Sequence, residues 1–538
     1  MMVIIVAIIV LAILSVAFAI IVNCNFRIAY CLYSIPKIHY IVKWICFRNI
    51  DYLKTSSFIM PIPIQSAIDD LGWMHGSDLR RNGGPSRLIV NRNPGLKEYK
   101  ELVKISELSG CRLIGLFIMS ELDINNICGE KQYNRPICNS DITEYGLSWE
   151  NKVCTDEAAM KLMEFIKDNS SCIEFGMHGV RHEHYDESGY TNAEWADKKN
   201  GVSWGSDNTR IHCEVFKRLI RQYYTEEECD FPHIFVPPSH CFDKNDKDSI
   251  SLMNQYGIKY MCSSCTNQPT MKELCWSGGF DTGILMLDRT EICVPEKIGY
   301  APKKISAVNS MLGTHFPNYW GAVKKWHHFF KNVNRQVGCV VGKNSEYTYS
   351  QWLYTRNTSI FRGNNRIELN NRYMPSWAYD NHYLYGIVLK IHLHKKQHVS
   401  KIVSKELALI DYYEDEFDNA YLTLGDTLKD NSALDKRIYE FEYKLDKSTP
   451  ECTHFIREKQ TYNILTLRDY GNSVHCKIRI YGKHCIKIFI DAETADVSVE
   501  NNDITIENLR IHNKILSFNV DCKEMLGKDM IFTIKRKR

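Results

Sequence analysis

"FIMPIPIQSAIDDLGW", Phe58 to Trp73, is an apolar run that ends in two adjacent aspartates, Asp69 and Asp70. If Pro61 to Ile68 is a strand, successive side chains point to opposite faces. Side by side, each acid makes the other harder to ionise. A turn in water tolerates such a pair. A strand mouth that feeds a metal or a proton-transfer site requires it.

The same texture continues downstream, with short apolar runs alternating with helical stretches. "LKEYKELVKISELSG" reads as a helix with Gly110 at its C-terminal cap, and "CRLIGLFIMS" as the next strand. The pairs "DEAAMKLMEFIKDN" and "SCIEFGMH", "NTRIHCEVFKRLIRQYY" and "HIFVPP", and "DSISLMNQYG" and "IKYMCSS" repeat the unit. "TGILMLDR" and "SAVNSMLGTHF" carry the last pieces. Such repetition predicts an α/β fold with a parallel sheet or barrel, its function at the C-terminal strand ends. The polar stretch from Gly342 to Tyr373 reads as an extended connection, and beyond Trp377 alternating segments predict an antiparallel β module, a sandwich. The expected domains are 58–335 for the α/β unit, 336–377 for the connector and 378–538 for the β module.

The chain has 538 residues, 44% hydrophobic and 24% charged, which suits globular domains and excludes a disordered chain. A net charge of +3 with no long basic block argues against nucleic acid as a partner. Of the 20 cysteines, only Cys262 and Cys265 form a C-x-x-C, so a structural zinc site is not expected. The scattered cysteines read as buried thiols, which suits a reducing compartment.

"VIIVAIIVLAILSVAFAIIV", Val3 to Val22, carries no charge and is long enough for a membrane-spanning helix. The expectation is an uncleaved anchor over 1–25 and an amphipathic juxtamembrane segment over 26–57. Arg27, Lys37, Lys43 and Arg48 follow the run, and the positive-inside rule then places the rest of the chain on the cytoplasmic face.

A second stretch bears on chemistry. In "EFGMHGVRHEHY", Glu174 to Tyr185, His178 and His182 stand four apart with Gly179 between them. Two imidazoles and a carboxylate make a common set for a divalent hydrolytic metal, and Asp70 can supply the carboxylate from another strand end. The bland alternatives are a helix cap for the aspartates and a polar loop for the histidines.

The order "IDDLGW", "HGVRHEHY", "FVPPSHCFD" and "GTHFPN" resembles the polysaccharide deacetylases, the NodB-homology carbohydrate esterases, over about Ile62 to Tyr319. The resemblance implies a distorted (β/α) barrel with an Asp-His-His metal site, usually zinc. It makes Asp69 the catalytic base, Asp70, His178 and His182 the metal ligands, and His315 the general acid. His240, Arg289 and Glu121 are expected around the substrate. Three departures stand out: Leu71 follows the aspartates, Gly179 replaces a hydroxyl residue, and Val236 stands where the family carries an arginine. Arg289 is the candidate for that arginine's task.

The function so implied is metal-dependent removal of an N-acetyl group from a sugar, in a glycan or a lipid-linked saccharide. Two rivals belong to other classes. One is a non-catalytic saccharide-binding member of the fold. The other is a metal-free glycoside hydrolase with Asp69 and Glu121 flanking the scissile bond.

Overall fold

The computed structural model describes residues 58–537, except 75–87, 89, 91, 130–153, 183, 187–188, 192, 264–282, 292–297, 303–309, 337, 363–364, 395, 427–430 and 502–503. Seven strands form the first layer: β1 (Ile62–Leu71), β2 (Leu113–Ile118), β3 (Ile173–Gly179), β4 (Ile234–Phe235), β5 (Tyr260–Ser263), β6 (Leu285–Glu291) and β7 (Met311–His315). Each pairs in parallel with the next. The sheet curls until its ends meet, and Gln65–Asp69 of β1 pair with Met311–His315 of β7. A short β8 (Cys339–Val341) pairs with the start of β1, at Ile62–Ile64.

Alternation along these strands feeds two separate cores. Ile68, Phe117, Phe175, Phe235, Met286 and Leu312 belong to the core that also takes the apolar faces of the surrounding helices. Those helices are α1 (Leu96–Ser109), α2 (Asp156–Asp168), α3 (Ser206–Arg221), α4 (Lys247–Tyr256) and α5 (Val323–Arg335). Gly110 closes α1 with φ 68°, a left-handed cap that suits glycine. α5 adds to the expected elements, although Trp326, Phe329, Phe330 and Val333 are buried at helical spacing.

Ala67, Ile114, Leu116, Ile234, Tyr260, Leu285 and Met311 belong to the second core. That core also contains Tyr349, Trp352 and Leu353 of α6 (Ser345–Asn357). The polar stretch expected as an extended connection is therefore corrected: it holds a helix whose residues Ser345 to Thr355 are all buried. Tyr349 donates its hydroxyl to the Met261 carbonyl at 3.0 Å. Gln351 donates to the carbonyls of Pro61 and Val388 and accepts the Val388 amide, which joins the curled sheet to the β module. Buried on every side, α6 has no apolar stripe to announce it.

The β module also begins earlier than expected, because Ser359–Arg362 and Arg366–Asn370 are already strands of it. One seven-stranded sheet runs through it, and two four-stranded sheets pack on different parts of that sheet. Ile387, Leu422 and Leu424 share a core with Ile367, Tyr439 and Phe441. Farther along, Ile486, Leu516 and Phe518 share another with Ile464, Ile478 and Phe532. The pairings are antiparallel apart from the single parallel bridge of Asp411 and Phe455.

The membrane placement is corrected. No helix among the described residues is long and apolar enough to cross a membrane. α3 is the longest of them at 16 residues, about 24 Å of rise against a hydrocarbon core of about 30 Å. The anchor and juxtamembrane segment expected over 1–25 and 26–57 lie outside the described residues.

Candidate metal centre

The C-terminal strand ends converge on one mouth, and β1 is bent to serve it. Its register against β2 slips between Ile68 and Leu71, so the two aspartates form a bulge. Asp70 takes φ 65° and Gly72 φ 87°. A Cβ on Gly72 would lie 2.2 Å from the Ile118 carbonyl oxygen, so no other residue fits there. The bulge breaks the alternation that would send neighbouring side chains to opposite faces, and both carboxylates are buried at the same mouth.

Asp70, His178 and His182 each offer a ligand atom, and these atoms lie within 4.8 Å of one another. His178, at the end of β3, donates from Nδ1 to the Val236 carbonyl at 2.6 Å. That bond leaves Nε2 to face Asp70 Oδ1, 3.5 Å away. Burial opposes a charge on His178, yet the Asp70 and Asp69 carboxylates outweigh it and raise its pKa. His182 takes φ 73° and brings its ring centroid to 5.1 Å from that of His178. Burial, helped by the neighbouring His178, pushes His182 down to about 3, so it is a neutral imidazole at pH 7.

The group fits a cation. Asp70 Oδ1 and His182 Nδ1 are buried without a hydrogen-bond partner, which is costly for polar atoms unless something of opposite character completes them. Two imidazole nitrogens and one carboxylate suit a divalent metal with positions left open for water and substrate. The cluster can hold a metal ion.

The flanking residues are ordered too. Arg289 of β6 donates from Nη1 and Nη2 to the two oxygens of Asp69, at 2.7 and 2.5 Å. Burial works against a charged Asp69, but the Arg289 guanidinium overcomes it and holds the carboxyl below its ordinary range. His240 follows Ser239, with φ 59° and 54° respectively, and its Nε2 accepts from Arg289 Nη2 at 3.3 Å. Arg289 is buried. It holds Asp69 rather than lining a surface open to substrate. His315, at the end of β7, pairs in register with Asp69. Its Nε2 lies 3.7 Å from Asp70 Oδ2 and its side chain is 31% exposed, so it can meet a ligand from solvent. Glu121 accepts the Met74 amide at 2.6 Å and tethers the chain after β1.

Sequence reasoning missed Glu194 and His212, both fully buried. Glu194 accepts the amides of Val180 and His182 at 2.8 and 2.9 Å. Burial pushes it up to about 7 in spite of those amides. His212 of α3 donates from Nδ1 to Asn208, so its Nε2 turns to Glu194 Oε1 at 3.2 Å. Burial lowers His212 to about 4. No local motif marks a lone glutamate between Ala193 and Trp195; the only hint was the glycine at 179.

No family model matches this chain, and no curated protein matches it.

Proposed function

We propose that the protein is a metal-dependent hydrolase that removes an N-acetyl group from a sugar, as its resemblance to the polysaccharide deacetylases implies. One observation carries this reading: the buried Asp70, His178 and His182 cluster is flanked at the same mouth by Asp69 and His315. A divalent cation there, zinc by the donor set, would supply an acidified water and a polarised acyl carbonyl.

The chain's own groups then divide the proton transfers. Asp69 is ionised, and Arg289 fixes its plane, so it can accept the proton of the attacking water. Its depressed pKa makes it a weak base, so the water has to be made acidic for the transfer to proceed. His315 reaches solvent and stands beside Asp70, placed to give a proton to the departing sugar amine. His178 and His182 hold their rings by the Val236 carbonyl and by the loop amides bound to Glu194.

The test is acetate release from N-acetylated oligosaccharides, including chitin oligomers, by the full chain. Release that stops on chelation and returns with zinc supports the reading. Release unaffected by chelation contradicts it.

A further inference from the structure

Between the two histidines the chain makes a tight turn through Val180, Arg181 and His182. Three successive amides of that turn point at one side chain. Glu194 Oε1 accepts from Val180 at 2.8 Å and from Arg181 at 3.4 Å, and Oε2 accepts from His182 at 2.9 Å. The carboxylate lies where residue 179 would carry a side chain. A Cβ built on Gly179 would stand 1.9 Å from Glu194 Oε2 and 2.8 Å from its carboxyl carbon.

We propose that Glu194 is the positioning residue of the metal centre: its carboxylate folds the 180–182 turn so that His182 faces His178, and Gly179 is glycine to admit it. This inference rests on the metal reading above. A glutamate that merely packed in the core could sit anywhere along the turn. Glu194 instead binds the amide of a metal ligand and those of both residues before it, so the ring position of His182 follows from that one acid. An amide side chain does not replace it, because Gln has a single acceptor oxygen and its NH2 would confront a backbone N–H. His212 Nε2 stands 3.2 Å from the same Glu194 Oε1.

The experiment uses the full chain with Co2+ as the probe, read by visible absorption during titration and accompanied by thermal unfolding. Wild type binds cobalt with a low-symmetry spectrum. Glu194→Gln remains folded but loses about 10- to 100-fold in cobalt affinity, the usual cost of removing a group that orients a ligand, and its bands shift. Gly179→Ala gives a similar loss, yet adds nothing further in a Glu194→Ala background, since both changes strike the same contact. Glu157→Gln, on an exposed helix face, leaves affinity and spectrum unchanged.

Unchanged affinity and spectrum in Glu194→Gln overturn this inference alone. A wild type that takes up no cobalt overturns the metal reading, and this inference with it. Should the Glu194 variants not fold, hydrogen exchange of the metal-free wild type decides. Slow exchange at the amides of Val180, Arg181 and His182 is expected, and fast exchange there overturns the proposal.

Discussion

Arg289 grips both carboxylate oxygens of Asp69 across the mouth, from a strand that is not its neighbour: β7 lies between them. Both side chains are buried, so neither charge has water to fall back on. Removing one partner of such a pair strands the other.

Arg289→Ala is therefore expected to lower stability by about 3–5 kcal/mol and to abolish acetate release. Arg289→Lys keeps the charge but not the two-pronged geometry, so it should recover part of the stability and little of the activity. Denaturant unfolding and initial rates check both. Stability equal to wild type in Arg289→Ala would contradict the pairing.

Metal affinity should fall with pH on the acid side of neutrality. The nearby carboxylates raise the metal-free His178 above its ordinary pKa, and a cation must displace that proton to bind Nε2. Below the raised pKa, one displaced proton costs up to about tenfold in affinity per pH unit. Cobalt titrations at several pH values test this, and a constant affinity from pH 5 to 8 would count against His178 as a ligand.

Glu194 makes a stability prediction of definite sign. Its pKa rises from 4.5 in the ordinary state to about 7 in the folded, metal-free protein. Between those values the folded chain holds a proton that the unfolded chain has released, so folding is favoured toward acid. The contribution is complete below about pH 4.5 and is lost as pH rises through about 7. Asp69, whose pKa is lowered, acts in the opposite sense, but it cancels when wild type is compared with Glu194→Gln. The difference in unfolding free energy between the two should decline across that window. A flat difference would show that the acid is not perturbed.

α6 joins the curled sheet to the β module, so damage to it should be felt in both. Trp352→Ala removes a large side chain from the core shared by Ile114, Leu285 and Leu389, at a cost of about 3–5 kcal/mol. Fluorescence and calorimetry should show one lowered transition rather than two separated ones. A transition of the β module left at its wild-type temperature would contradict the joint core.

Much of this arrangement was legible before the structure. The helix-and-strand alternation from Leu96 to His315 is a repeating pattern of local signals, and the strands lie close to the segments expected, with Asp70, His178 and His315 at their C-terminal ends and His182 in the turn just beyond. What escaped has physical causes. Adjacent aspartates on a strand should diverge, and only the bulge with Asp70 at φ 65° brings both to one mouth. Arg289 was already the candidate to orient Asp69, but its two-pronged hold from β6 is a tertiary contact spanning 220 residues, and no local pattern encodes that geometry. Ser345 to Thr355 looked like a polar linker because a helix buried on all sides needs no amphipathic face. The glycine at 179 looked like a missing hydroxyl, whereas the space belongs to Glu194.

Metal analysis joined to acetate release, on the full chain and on Asp70→Ala and His178→Ala, tests the central claim most directly. The account predicts close to one divalent ion per wild-type chain, its loss in both variants, and acetate from N-acetylated oligosaccharides only with wild type. A wild type that holds no ion after reconstitution with zinc, or variants that hold as much as wild type, would contradict it.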